Sequence, residues 1–258
     1  MSEAIRTSMT GNVLEVVIDR PKANAIDAAT SRALGDVFVR AEADAEVRVV
    51  ILTGAGERFF SAGWDLAAAA GGEAFDADYG PGGFGGFPEL PDRTKPVIAA
   101  VNGLAVGGGF EIALAADLVV AAEHAEFFLP EVRLGLLPDA ASVKLPRLLP
   151  PHVARAVLLA GQRLTAADAL RWGLVNSVVS AAELLAAARA LAAEVAAAAP
   201  LSVAGVLDIG RRTESMSTAE AMTALRALPS YRRAIDSDDA IEGPRARAEK
   251  RPPEWKGR

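Results

Sequence analysis

The chain has no cysteine, only two histidines and two tyrosines, and aromatic residues fill just 5% of its 258 positions. Without cysteine there is no disulfide, no thiolate nucleophile and no sulfur-ligated metal, which fits a reducing compartment such as the cytoplasm. His124 and His152 stand at unrelated positions, so neither a zinc site nor a Ser-His-Asp triad is expected, and no metal is. No segment offers ~18 apolar residues without a charge, and Met1 to Asp19 has no basic flank leading into an apolar run. The reading is a soluble chain with no membrane partner. Basic character is also scarce: the formal charge is −6, which argues against a nucleic-acid partner, since such proteins present a basic face.

Apolar residues are abundant at 51%, ample for a large buried core. What positive charge there is gathers at the end, where Arg232 to Arg258 holds eight Lys/Arg against six Asp/Glu. Val13 to Asp19 and Val47 to Thr53 are β-rich runs, and between them Asp27 can cap an amphipathic helix from about Ala29 to Ala43. An irregular stretch follows Thr53, then a Gly/Pro-rich loop from Gly71 to Pro91, long enough to suggest a lid or binding loop. Val97 to Val101 is a buried strand leading through a glycine turn to a helix ending near Ala116, and Leu118 to Ala121 is another strand. From Pro150 the pattern becomes helical, at Pro151 to Ala160, Ala166 to Trp172 and Glu183 to Ala198, then through Arg211, Ile235 and Lys250. Val175 to Val179 interrupts with strand character. This is an α/β core followed by a helical C-terminal part.

Chemistry concentrates at Gly107-Gly108-Gly109-Phe110-Glu111, where a strand delivers the backbone to three glycines and then to an acid. Glycines let the chain pass close to a ligand, and free N–H groups at a helix start suit a developing anion. The run has neither the Gly-Lys-Ser/Thr of a phosphate loop nor the Gly-x-Gly-x-x-Gly of a dinucleotide fold. A second tight turn, Phe60-Ser61-Ala62-Gly63-Trp64-Asp65-Leu66, could supply another backbone donor. Glu131, in Leu129-Pro130-Glu131, is a second carboxylate, and a pair of acids can take one proton and give another. Taken singly, either acid also reads as a helix-start or surface residue.

Those segments, with Lys95-Pro96-Val97-Ile98-Ala99-Ala100-Val101-Asn102-Gly103 and Leu170-Arg171-Trp172-Gly173-Leu174-Val175, resemble the enoyl-CoA hydratase/isomerase (crotonase) superfamily over nearly the entire chain. Asp19-Arg20-Pro21-Lys22-Ala23-Asn24-Ala25-Ile26-Asp27, Tyr79-Gly80-Pro81-Gly82-Gly83-Phe84 and Asp239-Ala240-Ile241-Glu242-Gly243-Pro244 are similar to its carnitinyl-CoA dehydratase branch.

The resemblance implies an α/β crotonase (ClpP/crotonase-like) fold: a repeated β-β-α spiral core over residues 1–200 and a helical oligomerisation region over 201–258. It implies a homo-oligomer, a trimer or a dimer of trimers. It implies an acyl-CoA substrate and no separate cofactor, coenzyme A being part of that substrate. The backbone N–H groups of Trp64 and Gly108 would receive the thioester oxygen, and Glu111 and Glu131 would hold and activate water. Coenzyme A would be gripped at Lys22, Ala23, Ala25, Ala62, Asp65 and Leu66, with Lys250 reaching the phosphates from a neighbouring subunit. The branch implies a short enoyl-CoA with a trimethylammonium head, for which Trp64, Tyr79, Phe84, Phe87 and Tyr231 offer aromatic faces, with Asp76 and Asp78 as nearby negative charge. A broader enoyl-CoA hydratase and a non-catalytic CoA-binding scaffold are the alternatives.

Three stretches depart from the family pattern: Asp139-Ala140-Ala141-Ser142 after Pro138, Arg247 in place of an aromatic residue, and Asp65 to Gly72 with few anchors.

Overall fold

The computed structural model describes residues 4–258. In chain order its elements are β1 (Ile5–Thr10), β2 (Val13–Ile18), α1 (Ala28–Ala43), β3 (Val49–Gly54), β4 (Phe59–Ser61), α2 (Leu66–Ala70), β5 (Val97–Val101), β6 (Leu104–Val106), α3 (Gly108–Ala115), β7 (Leu118–Ala122) and β8 (Glu126–Phe128). They continue through α4 (Asp139–Leu148), α5 (Pro151–Ala160), β9 (Leu164–Thr165), α6 (Ala166–Arg171), β10 (Ser177–Val179), α7 (Leu184–Ala196), α8 (Pro200–Thr213), α9 (Thr218–Ala224), α10 (Pro229–Ile235) and α11 (Asp238–Glu249).

The larger sheet runs β1-β2-β3-β5-β7-β10, parallel except for the β1–β2 hairpin. The smaller runs β4-β6-β8-β9, with only β9 antiparallel to its neighbour. Each turn of the chain therefore lays one strand in the large sheet and the next in the small one, as β3–β4, β5–β6 and β7–β8. This is the spiral that the family resemblance implies. Strands β3 and β5 are buried at every position because both sheet faces are covered, which explains why they read as unbroken apolar runs rather than alternating ones. Leu34, Val37 and Phe38 of α1 pack on one side with Phe60, Phe110 and Phe127, while Leu184, Ala188 and Ala192 of α7 close the other. Each fully buried Val, Leu or Ile contributes on the order of 1.5–3 kcal/mol relative to exposure.

Asp27 caps α1 as its sequence predicts, accepting from the Thr30 N–H. The short strands β4, β6 and β8 escape a periodicity reading because three residues cannot display a period, and their pairing partners are remote. Asp65 to Gly72 is a short helix, with Asp65 accepting from the Ala67 N–H at its start. The stretch after Pro138 begins α4, although Pro146 lies within that helix. The boundary expected at 200 falls where α7 and α8 meet at a bend of 102°. No single helix among the described residues is long and apolar enough to cross a membrane.

Candidate active site

Two turns, one after β4 and one after β6, meet at the end of the small sheet. Ile26 donates its N–H to Gly63 (2.8 Å) and Asp65 donates to the Ile26 carbonyl (3.0 Å), so the bonds flank Trp64 and leave its N–H unused. In the other turn Gly107 (φ 55°) donates to Phe128 (2.9 Å), and its carbonyl accepts from Phe110 and Glu111. The next N–H, that of Gly108, opens α3 without an acceptor, as the first groups of a helix do. The turns touch: a Cβ on Gly63 would lie 2.7 Å from the Gly108 nitrogen, and Gly63 has φ 76°. Glycine is required there by both contact and conformation.

Behind Trp64, one guanidinium fixes the backbone. Arg20 donates to the Ala25 carbonyl (2.9 Å), to Asp65 and to Asp27 (2.8 Å). Hydrogen bonds from Thr30 and the nearby Arg20 outweigh burial and hold the Asp27 carboxyl below its ordinary value; Arg20 and the Ala67 and Ala68 N–H groups do the same for Asp65. Lys22 to Ala25 thus run beside Ala62 to Asp65, with Ala62 donating to the Ala23 carbonyl (2.9 Å).

Glu111 on the first turn of α3 and Glu131, which opens a 3-10 turn after β8, line one cavity of about 580 Å³ together with Trp64 and Gly108. Glu131 is only 8% exposed, and its Oε2 takes no hydrogen bond from the protein. A Cβ on Gly107 would sit 2.5 Å from Glu131 Oε1, so glycine makes room for the acid as well as for the turn. Glu111 Oε1 accepts from Ala141 at the start of α4 (2.8 Å), which gives the departure at residues 139–142 a role in holding the acid. Burial pushes Glu111 up to about 7, with Asp139 and Glu131 adding repulsion, against the opposing hydrogen bond from Ala141. Glu131 is raised too, by burial first and then by Asp139. The arrangement places two carboxyl groups, both with raised proton affinity, beside two unbonded backbone donors.

Ala62, Leu66, Tyr79 and Phe84 also line the cavity, as do Asp76 and Asp78, with Leu66 56% exposed at its edge. Two of the expected aromatic residues do not line the cavity of the single chain. Phe87 is 1% exposed and packs on Phe38 with ring centroids 4.6 Å apart, so it belongs to the core because its side chain lies on the inner side of the loop. Tyr231 lies on α10, which packs on α8, and within one chain it does not reach the cavity. Lys250 ends α11 beside Arg247 and Arg251, around a separate hollow, and within one chain it also stays away from the acids.

The sequence reading missed Phe75 in the cavity lining and Glu73 beside it, whereas Asp139, which also lines the cavity, stood in the departing stretch at residues 139–142. Glu73 and Phe75 sit in a loop with no periodicity, where only their rarity among glycines and alanines marked them. Among the described residues no group of three or more His, Asp or Glu side chains could hold a metal ion.

The family model described as enoyl-CoA hydratase/isomerase matches residues 8–258. A carnitinyl-CoA dehydratase from Salmonella arizonae is 56% identical over the whole of both chains, and one from Proteus mirabilis is 54% identical with the same coverage. Among solved structures, an enoyl-CoA hydratase from Mycobacterium tuberculosis superposes with a TM-score of 0.91 at 38% identity, and one from Mycobacterium marinum with 0.91 at 40%, each covering 99% of both chains.

Proposed function

The chain belongs to the enoyl-CoA hydratase/isomerase family, and from that premise we propose that it reversibly adds water to crotonobetainyl-CoA, giving carnitinyl-CoA. The observation that carries the reading is the placement of Glu111 and Glu131 on one cavity with the unbonded N–H groups of Trp64 and Gly108. The two donors receive the thioester oxygen as charge develops on it, a contribution of about 2.7–4 kcal/mol per donor in comparable sites. One carboxylate takes a proton from water as its oxygen bonds to Cβ. The π pair moves toward Cα and the carbonyl, and the other, protonated carboxyl delivers a proton to Cα. One proton passing between the acids restores the pair. Their raised proton affinities suit this, because a site that must be half protonated needs groups titrating near the working pH.

Lys22 to Ala25 and Ala62 to Leu66 form the edge along which coenzyme A enters, and no cofactor beyond the substrate's own coenzyme A is required. The protein works as a cytoplasmic trimer or dimer of trimers, assembled through residues 201–258, so that a neighbour's Lys250 meets the phosphates. Assaying crotonobetainyl-CoA and crotonyl-CoA side by side by loss of enoyl-thioester absorbance tests the reading. The former is expected to be strongly preferred. A large preference for crotonyl-CoA would remove the betaine assignment, and acyl-CoA binding without turnover of either would favour a scaffold.

A further inference from the structure

Glu73 lies just outside the cavity lining, and its carboxylate is divided between two duties. Oε1 accepts from the Trp64 indole N–H (2.9 Å), and Oε2 from the backbone N–H of Ala28, the first residue of α1 (3.0 Å). Its own N–H, beyond the end of α2, donates back to the carbonyl of Ala68 within that helix (3.0 Å). One residue thus ties the start of the 71–91 loop to α1, to α2 and to the Trp64 ring. Two residues later Phe75 stands edge-on to Trp64, with centroids 5.4 Å apart and planes at 83°. Farther along, Tyr79 stands edge-on to Phe84 at 5.2 Å and 85°, and its hydroxyl donates to the Phe75 carbonyl (3.0 Å). All four rings line the cavity, and its lining includes no lysine or arginine. Burial, with Glu73, Asp139 and Asp76 adding negative field, pushes the Tyr79 phenol up to about 12.

A quaternary ammonium has no N–H to donate, so hydrogen bonds cannot recognise it. Ring faces and a negative field can. Resting on the acyl-CoA reading above, we propose that Glu73 is a positioning residue for the acyl head: it fixes the Trp64–Phe75 pair as a wall for a quaternary ammonium group. The cavity thereby selects a cationic acyl chain over a neutral one of the same shape. Trp64 serves twice, its N–H toward the thioester and its ring toward the head.

The test is calorimetric binding of two saturated thioesters that cannot be hydrated, 4-(trimethylammonio)butanoyl-CoA and the isostere with a tert-butyl group in place of trimethylammonium. The unaltered protein is expected to bind the cation about tenfold more tightly or better. Glu73→Ala should cut that preference at least about fivefold, and Glu73→Gln, which cannot accept both N–H groups, should cut it by less. Phe75→Leu removes part of the wall without touching the carboxylate and should also reduce the preference. Equal affinities in the unaltered protein, or equal weakening of both ligands in the Glu73→Ala and Phe75→Leu proteins, would overturn the proposal. Failure to hydrate any enoyl-CoA would instead sink the hydratase reading and leave this binding comparison intact.

Discussion

The two ends of the cavity are made of different material. At the end we propose to be the reacting one, the groups are backbone N–H groups and two carboxyls, set on turns that leave strands of the small sheet and enter α3 or a 3-10 turn. At the acyl end they are aromatic and acidic side chains on the 71–91 loop, tied to the body through Glu73 and through Arg32 and Ser31 of α1, which donate to the Asp78 and Gly83 carbonyls. Rigid backbone geometry suits a charge that appears only in the transition state, since nothing has to reorganise as it forms. A loop suits a group that varies from one substrate to another, because its residues can change while the strands stay put.

If that division is right, the largest effects belong to the reacting end. Glu111→Gln and Glu131→Gln should each lower kcat for hydration by about 10²–10⁴, with acyl-CoA affinity changed only a few-fold. Near-normal turnover in both would break the two-acid mechanism. Gly63→Ala should cost about 10²–10³ in kcat, because its Cβ meets the backbone nitrogen of Gly108 and displaces a donor. A crystal structure of this variant with an unmoved Gly108 and full activity would assign the turn a purely structural part.

The next effect is on stability. Glu111 binds its proton more tightly when folded than its ordinary value of 4.5 allows, so the folded chain holds a proton that the unfolded chain releases between pH 4.5 and about 7. Stability from this group is therefore greatest below that interval and falls as pH rises through it. Glu111→Gln should be relatively more stable at pH 8 than at pH 4.5, by up to ~3 kcal/mol, in urea melts at the two pH values. A pH-independent difference would show that the acid is not strained by burial. The smallest effect contrasts neighbours in the loop: Phe87→Leu should cost about 1 kcal/mol in stability and leave acyl preference alone, while Phe84→Leu should do the reverse. Acyl-CoA competition assays and thermal melts of the pair decide it.

The same division governs what the sequence discloses. Gly107-Gly108-Gly109 followed by Glu111 is local, and the chemistry of a glycine turn before an acid can be argued from adjacent residues. Glu131 and the turn at Trp64 can be picked out as a second acid and a second donor, the resemblance pairs them with the glycine turn, and the structure shows the pairing of strands β4, β6 and β8 that brings them to one cavity. In the 71–91 loop, aromatic type alone cannot separate Phe84 from Phe87. One faces the cavity and the other Phe38, because Gly85 and Gly86, both at positive φ, redirect the chain between them. Glu73 was harder still: its partners, Ala28 and Trp64, are 45 and 9 residues away, and no spacing rule connects them.

The lone bridge between Ile26 and Trp64 has a consequence for amide exchange. Ala62, Ile26 and Asp65 donate across the seam between the two segments and can trade their protons with solvent only when that seam opens, so they should exchange as one cooperative unit. Trp64, between two of them in space, has no such bond to break. Its amide would be a fast-exchanging island in a protected surround, which a bound thioester oxygen should silence.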